Sequence, residues 1–262
     1  ATNLINFVRG IDAYDEDGDG NSTEKRWKLG DIYHSRLSVV GPPGAKTSNK
    51  ADDVNTEAYY RYQKNYDNLK NGNRCGIACP SRKEVVYVGA NDGMLHAFDS
   101  NTGSELWAFI PPTMLQSLRK MDSVKANSSH SVYGVDGSPV VKDIYYGGKW
   151  RTILLTGMGR GGHGYFAMDV TNPNSPSFLF AFQNDTINKQ IYHWDASGNR
   201  VDLGYVAGIP AERDYSKLGE AWSTPVIMAM PNGTTRKWVA VFGAGYNGGV
   251  STDYGSAVYV ID

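Results

Sequence analysis

The sequence predicts an all-β fold, a partial β-propeller of about three blades with small helices inserted. Its 262 residues include 30 glycines, 17 tyrosines and six tryptophans with few long helical patterns, a composition suited to short strands joined by tight turns. One strand–turn–strand pattern recurs three times along the chain, as in repeat architectures. Sheets of three or four antiparallel strands repeated this way stack radially, which buries both faces of each blade and leaves only short edges exposed.

Residues 1–33 form an entrance segment, and Arg9-Gly10-Ile11-Asp12 reads as its strand-turn. Residues 34–262 form the propeller. "SRLSVVGPP" at 35–43 supplies the innermost strand of the first blade, which extends to about residue 111. Within it, Tyr59, Tyr62, Tyr66 and Leu69 at helical spacing place an inserted helix at 57–70. "KEVVYVGANDGMLHAFDSNTGSELWAFIP" at 83–111 then reads as a meander: Val85 to Val88, "MLHAFD" and "ELWAF" are strands, with turns at "GANDG" and "SNTG". "PPTMLQSLRKM" at 111–121 reads as a short helix before a polar loop at 122–131.

The second blade covers about 136–182 and the third 222–262. Ser138-Pro139-Val140 and Thr224-Pro225-Val226 open them, and Lys-Trp at 149–150 and 237–238 begins each second strand. The strand-ending aspartates are Asp99, Asp169 and Asp262. The stretch 183–215 carries few strand signals and reads as a long surface loop or irregular hairpin. The third blade stops before its outer strand, and three blades do not close a ring, so the chain reads as a piece of a longer protein.

Twenty-six basic against 27 acidic residues give nothing that points to nucleic acid, and no apolar run reaches the ~20 residues that span a bilayer. Gly157-Met-Gly159-Arg-Gly-Gly162 and Gly243-Ala-Gly245-Tyr-Asn-Gly248 both satisfy GxGxxG. A dinucleotide site needs a helix next, to receive the pyrophosphate; here strands follow, so these glycines are expected to make hairpin turns. The five histidines form no HExxH or comparable pair and read as surface or turn residues. No Gly-x-Ser-x-Gly elbow or recognisable carboxylate pair supports hydrolysis. Cys75 and Cys79 cannot complete a four-thiolate zinc site; they read as a loop-stapling disulfide, or as a redox pair or half of a metal site.

The candidate site is "DEDGDGNSTE" at 15–24. Asp15, Asp17 and Asp19 repel one another unless a cation lies between them, and Gly18 and Gly20 let the backbone curl so that they converge, as calcium loops do. The loop is not an EF-hand: counting from Asp15, position 12 is Arg26 instead of glutamate. Calcium would be closed through the Asn21 carbonyl and Glu24, or Thr23 in place of Glu24; the other reading is a solvated acidic turn.

"AFDSNTGSELW" resembles the blade signature of quinoprotein-like propellers. Five segments in order, "NFVRG", "LGDIYHSRLSVVGPP", "VVYVGANDGMLHAFD", "WRTILLTGMGRGGHGYFAMDVTNP" and "KWVAVFGAGYNGG", more specifically resemble the PilY (PilC-type) family of type IV pilus tip-associated adhesins and biogenesis proteins. The resemblance implies a C-terminal propeller domain of a secreted, extracellular protein at the pilus tip or outer cell surface. It implies no catalysis, pilin and minor pilins as partners, a host or abiotic surface ligand, and roles in pilus biogenesis, adhesion and twitching motility. The family's own calcium loop follows a strand like "AVYVID", beyond Asp262, so the loop at 15–24 is a different one. Alternatives are a quinoprotein-like dehydrogenase or a generic outer-membrane scaffold propeller. The dehydrogenases use adjacent cysteines, whereas three residues separate Cys75 from Cys79.

Overall fold

The structure, a computed structural model, describes residues 2–41, 82–121, 132–146, 149–205, 209–233, 235–249 and 253–262. The helix expected at 57–70, the loop at 122–131 and the cysteines 75 and 79 lie outside the described residues. Among the described residues, 13 strands form three antiparallel sheets, each built from one continuous stretch of chain. The first has the order β1 (Ser38–Val40), β2 (Val85–Gly89), β3 (Leu95–Asp99), β4 (Glu105–Phe109). The second runs β5 (Val140–Tyr146), β6 (Lys149–Gly157), β7 (Gly164–Asp169), β8 (Ser177–Asp185), β9 (Gln190–Trp194), β10 (Arg200–Gly204), and the third β11 (Val226–Asn232), β12 (Thr235–Gly243), β13 (Val258–Ile261). The fold is the expected partial propeller.

The stacking follows from the two-residue period of a strand, which sends successive side chains to opposite faces. In the second sheet Leu154, Phe166, Met168 and Ala181 face the first, meeting Tyr87, Leu95 and Ala97. Their neighbours Leu155, Tyr165, Ala167 and Phe182 face the third, meeting Ile227, Ala240 and Phe242. Every residue of β7 is buried as a result. Among the described residues the far face of the third sheet has no such cover, and Val226, Met228, Met230, Val258 and Val260 are exposed on it.

The sheets are also joined by polar contacts. Trp107 on β4 packs beside Tyr87 and donates its indole N–H to the Pro173 carbonyl of the second sheet at 2.7 Å, an interblade position. Buried Arg82, just before β2, reaches across to Asp143 of β5 (2.9 Å) and Thr152 of β6 (3.0 Å). The repeat extends to ion pairs not evident from the pattern. Asp99, Asp169 and Asp262 pair with a cation near the start of the second strand of their own sheet: Lys83, Arg151 and Lys237. Asp99 and Asp169 each also cap a backbone N–H two residues on, at Asn101 and Thr171 (both 2.9 Å).

Strands follow the GxGxxG glycines, as expected, but the turns do more than reverse the chain. The segment leading into each later sheet is clamped between two of them. Val135 donates to the Ala90 carbonyl of the first sheet's turn (3.0 Å) and Asp136 to Met158 in its own (3.2 Å). Ala221 accepts from Gly159 (3.2 Å) and donates to Gly162 (3.1 Å), while Glu220 and Tyr246 exchange both backbone bonds (2.8 and 3.0 Å). Backbone passes this close only where no Cβ intervenes. A Cβ at Gly161 would collide with the Gly134 carbonyl, and Gly245 combines φ +83° with the Glu220 carbonyl against its open side.

Three expectations need correction. The stretch 183–215, read as a long surface loop or irregular hairpin, begins with regular pairing: β8 runs on to Asp185, and a regular β9–β10 hairpin widens the second sheet to six strands, where three or four per blade were expected. The helix expected at 111–121 divides into a 3₁₀ turn, Pro112–Met114, and a four-residue helix, Leu118–Met121. The entrance segment opens with an unforeseen helix, α1 (Thr2–Val8), that buries Phe7; it ends at Gly10 (φ +88°), and Ile11 then bridges to Lys25.

Candidate functional site

The acidic loop is held by a small core of its own. Phe7 packs edge-on against Tyr14 (5.3 Å), and the Arg26 guanidinium lies 3.9 Å over the Phe7 ring while its Nε pairs with Glu16 at 2.7 Å. Arg26 thus has a structural place in the loop's base. The Ile11–Lys25 bridge closes the ends, with Asp12 N–H donating to the Glu24 carbonyl at 2.9 Å.

On this frame Asp15, Asp17 and Asp19 converge, with one oxygen of each within 4.8 Å of the others. Asp17 also belongs to a second triad with Asp12 and Glu24. Oxygens facing each other across one calcium lie at most about 5 Å apart, twice the usual 2.3–2.6 Å bond. Both triads fit that span. Glu24 therefore joins the group through Asp17, as its place in the loop suggested. Asp12, which sequence reasoning left out, is carried there by the bridge of its neighbour Ile11 to Lys25, a pairing no local spacing reveals.

The loop's other hydrogen bonds shape it. Gly20 N–H donates to both Asp15 oxygens (3.1 and 3.2 Å), Asn21 N–H to Asp19 (2.7 Å) and Glu16 N–H to both Asp12 oxygens (2.9 Å). The Asn21 side chain donates to Glu24 at 3.2 Å and accepts from Thr23 Oγ1 at 2.8 Å, so Thr23 turns toward Asn21. Asp15 sits at φ +53° and Gly18 and Gly20 at +75° and +86°, the left-handed curl the glycines were expected to allow. Asp19's charge, with burial and the charges of Asp17, Asp12 and Asp15, holds the Glu24 carboxyl above its usual value. A divalent cation would reverse that.

The entrance segment is fixed to the first sheet through a buried histidine, against the surface position expected for all five. His96 on β3 is 1 % exposed and lies between Asp92 (Nε2, 2.9 Å) and Glu105 (Nδ1, 2.6 Å). Asp92 in turn accepts the Gly30 N–H at 2.8 Å. Burial alone would lower the imidazole pKa, but hydrogen bonds and charges from the two carboxylates outweigh it and raise it above the ordinary value. A raised pKa gives stability that is complete below the unfolded-state value, about 6.5, and is lost as pH rises through the folded one. Thermal melting should therefore move to lower temperature as pH rises from about 6 to 9. His96→Gln should lose about 2–3 kcal/mol at pH 6 and most of that slope; an unchanged slope would refute the assignment.

The family model described as the PilY1 beta-propeller domain matches residues 48–262. The type IV pilus biogenesis factor PilY1 of Pseudomonas aeruginosa (strain UCBPP-PA14) is 31 % identical over 92 % of this chain and 17 % of its own length. A PilY1 homolog of Xylella fastidiosa is 32 % identical over 93 % of this chain and 16 % of its own. The chain thus spans less than a fifth of these relatives. Among solved structures, the Pseudomonas aeruginosa PilY1 C-terminal domain is 28 % identical over 86 % of this chain and 34 % of that one, with a TM-score of 0.47. With most of its length matched and identities above 30 % over nearly all of it, the chain belongs to the PilY1 β-propeller domain family.

Proposed function

We propose that the chain is a non-enzymatic propeller module of a type IV pilus biogenesis protein, displayed at the cell surface or pilus tip, where it supports pilus assembly, surface adhesion and twitching motility. One observation carries this: near-complete coverage of the chain by relatives that are pilus biogenesis factors. Pilin and minor pilins are the proposed partners, together with a host or abiotic surface. Among the described residues no helix is long and apolar enough to cross a membrane. Deleting residues 35–262 from the full-length protein in the bacterium that makes it should abolish surface pili and twitching. Normal piliation after the deletion would defeat the reading.

The same reading gives the acidic loop a calcium ion. Asp15, Asp17 and Asp19 would hold it, with Glu24 and the Asn21 carbonyl closing the shell and Asp12 behind Asp17. Bound calcium would neutralise the crowded carboxylates and stiffen the base formed by Phe7, Tyr14 and Arg26. At calcium about tenfold above Kd, mass action adds roughly 1.4 kcal/mol, a shift of about 2–6 °C for a domain of this size. Wild type should melt higher in millimolar calcium than in chelator, and Asp17→Ala should not. Equal melting of the wild type in both would leave the loop a solvated acidic turn.

A further inference from the structure

At one end of the stacked sheets, side chains from the stretch before the first sheet, from the two links between sheets and from the second sheet's turn meet. The strands that enter the sheets run antiparallel to their neighbours, so each entrance lies beside the turn that follows the second strand. Tyr33 and His34 come from the stretch that joins the entrance segment to the first sheet, Tyr133 and Asp136 from the link between the first two sheets, Arg160 from the second sheet's turn, and Glu220 and Trp222 from the next link. His34 packs against Tyr33 at 4.2 Å, Trp222 at 4.9 Å and Tyr133 at 6.4 Å. Arg160 lies 4.4 Å over Tyr133 and donates to its hydroxyl (3.0 Å), and Glu220 accepts the Trp222 indole N–H (2.7 Å).

The histidine is aimed by a buried carboxylate. Asp136, 2 % exposed, accepts the His34 backbone N–H (3.2 Å) through one oxygen and Nδ1 (2.6 Å) through the other. That fixes the proton on Nδ1 and leaves Nε2 as the nitrogen Asp136 does not engage. The aromatic groups beside it are open to water: Tyr33 is 64 % exposed and Trp222 39 %. Open aromatic faces, a fixed imidazole, a guanidinium and a carboxylate thus lie together on a scaffold set by the backbone clamps.

We propose that this end of the propeller is a saccharide-binding site. A pyranose ring carries C–H groups on its faces and hydroxyls around its rim. The C–H faces suit the electron-rich faces of Trp222 and Tyr33, while the hydroxyls, which both donate and accept, suit His34 Nε2 and Glu220 as acceptors and Arg160 as a donor. Arg160 already occupies the Tyr133 face and would repel a cation, and Glu220 and Asp136 would repel an anion. A neutral sugar meets neither penalty. The proposal gives the adhesion reading above a ligand class and rests on it.

The test is calorimetric titration of the full-length protein with lactose, chitotetraose, mannotetraose and maltotetraose. At least one should bind with a Kd between about 10 µM and 1 mM. Trp222→Ala and Tyr33→Ala should each weaken it at least about tenfold, and Trp27→Ala, which removes an exposed indole elsewhere, should not. No binding of any of the four, or undiminished binding by both folded variants, would overturn the proposal. So would a pilin peptide that binds through Trp222 while the sugars do not. If Trp222→Ala misfolds, Tyr33→Ala decides. Surface pili counted in parallel separate this site from the assembly role: pili retained with sugar binding lost supports the proposal, and wild-type protein that makes pili yet binds no sugar defeats it alone.

Discussion

Phe182→Ala should lose about 3–5 kcal/mol of stability, the range for emptying an aromatic site in a packed core. Phe182 is fully buried on the second sheet, stacked on Tyr215 with centroids 3.9 Å apart and planes 8° from parallel. Tyr165 and Phe242 flank it at 5.8 and 6.1 Å. Tyr165 is itself pinned, its hydroxyl donating to the Ser223 carbonyl at 2.8 Å, so it cannot swing into the space left behind. The cavity would open at the junction of the second and third sheets. Melting followed by circular dichroism should fall by on the order of 10 °C; a loss under about 1 kcal/mol would show that the two sheets collapse together around the gap.

The second large effect is polar. Arg82→Met should cost about 2–4 kcal/mol, somewhat below the loss from a fully enclosed pair because Asp143 keeps some contact with water. The methionine fills the space but leaves Asp143 facing a buried surface, with Thr152 Oγ1, at 2.7 Å, as its remaining donor among the described residues. Adding Asp143→Leu should recover much of the loss, since two apolar groups of similar volume do not carry the charge's desolvation cost. Urea unfolding of the two singles and the double gives the coupling directly. Additive losses would mean that the pair does not bind the first sheet to the second.

The meanders were legible because their strands are apolar and β-branched, and their turns carry glycine at fixed places. The three strands of the third sheet followed from the same repeat. β9 and β10 were missed for a physical reason: β10 is mostly exposed and has no buried face to impose alternation. β9 pairs with β8 as that strand runs on through Asn184 and Asp185, and β10 pairs only with β9. α1 buries only Phe7, too little for a helical stripe. Asp15, Asp17 and Asp19 could be read from local spacing, but Asp12 could not, because its neighbour's bridge to Lys25 spans the whole loop. The cluster of Tyr33, His34 and Trp222 draws on segments nearly 190 residues apart, a distance at which a single sequence shows no trace of contact.

Because each sheet closes within its own stretch of chain, folding has a direction. Apart from the long connection between β1 and β2, the strands of each sheet are joined by short segments, so sheets can form one by one as the polypeptide emerges from the ribosome. The first sheet would then act as a template for the second through Tyr87, Leu95 and the clamp at Ala90. The hazardous moment comes after β10 is made and before β11 arrives. During that interval Leu155, Tyr165 and Phe182 face water, and the chain presents a broad aromatic surface to any chaperone or neighbouring copy. A pause in synthesis between residues 205 and 225 would lengthen that window, and the yield of soluble protein would fall with it.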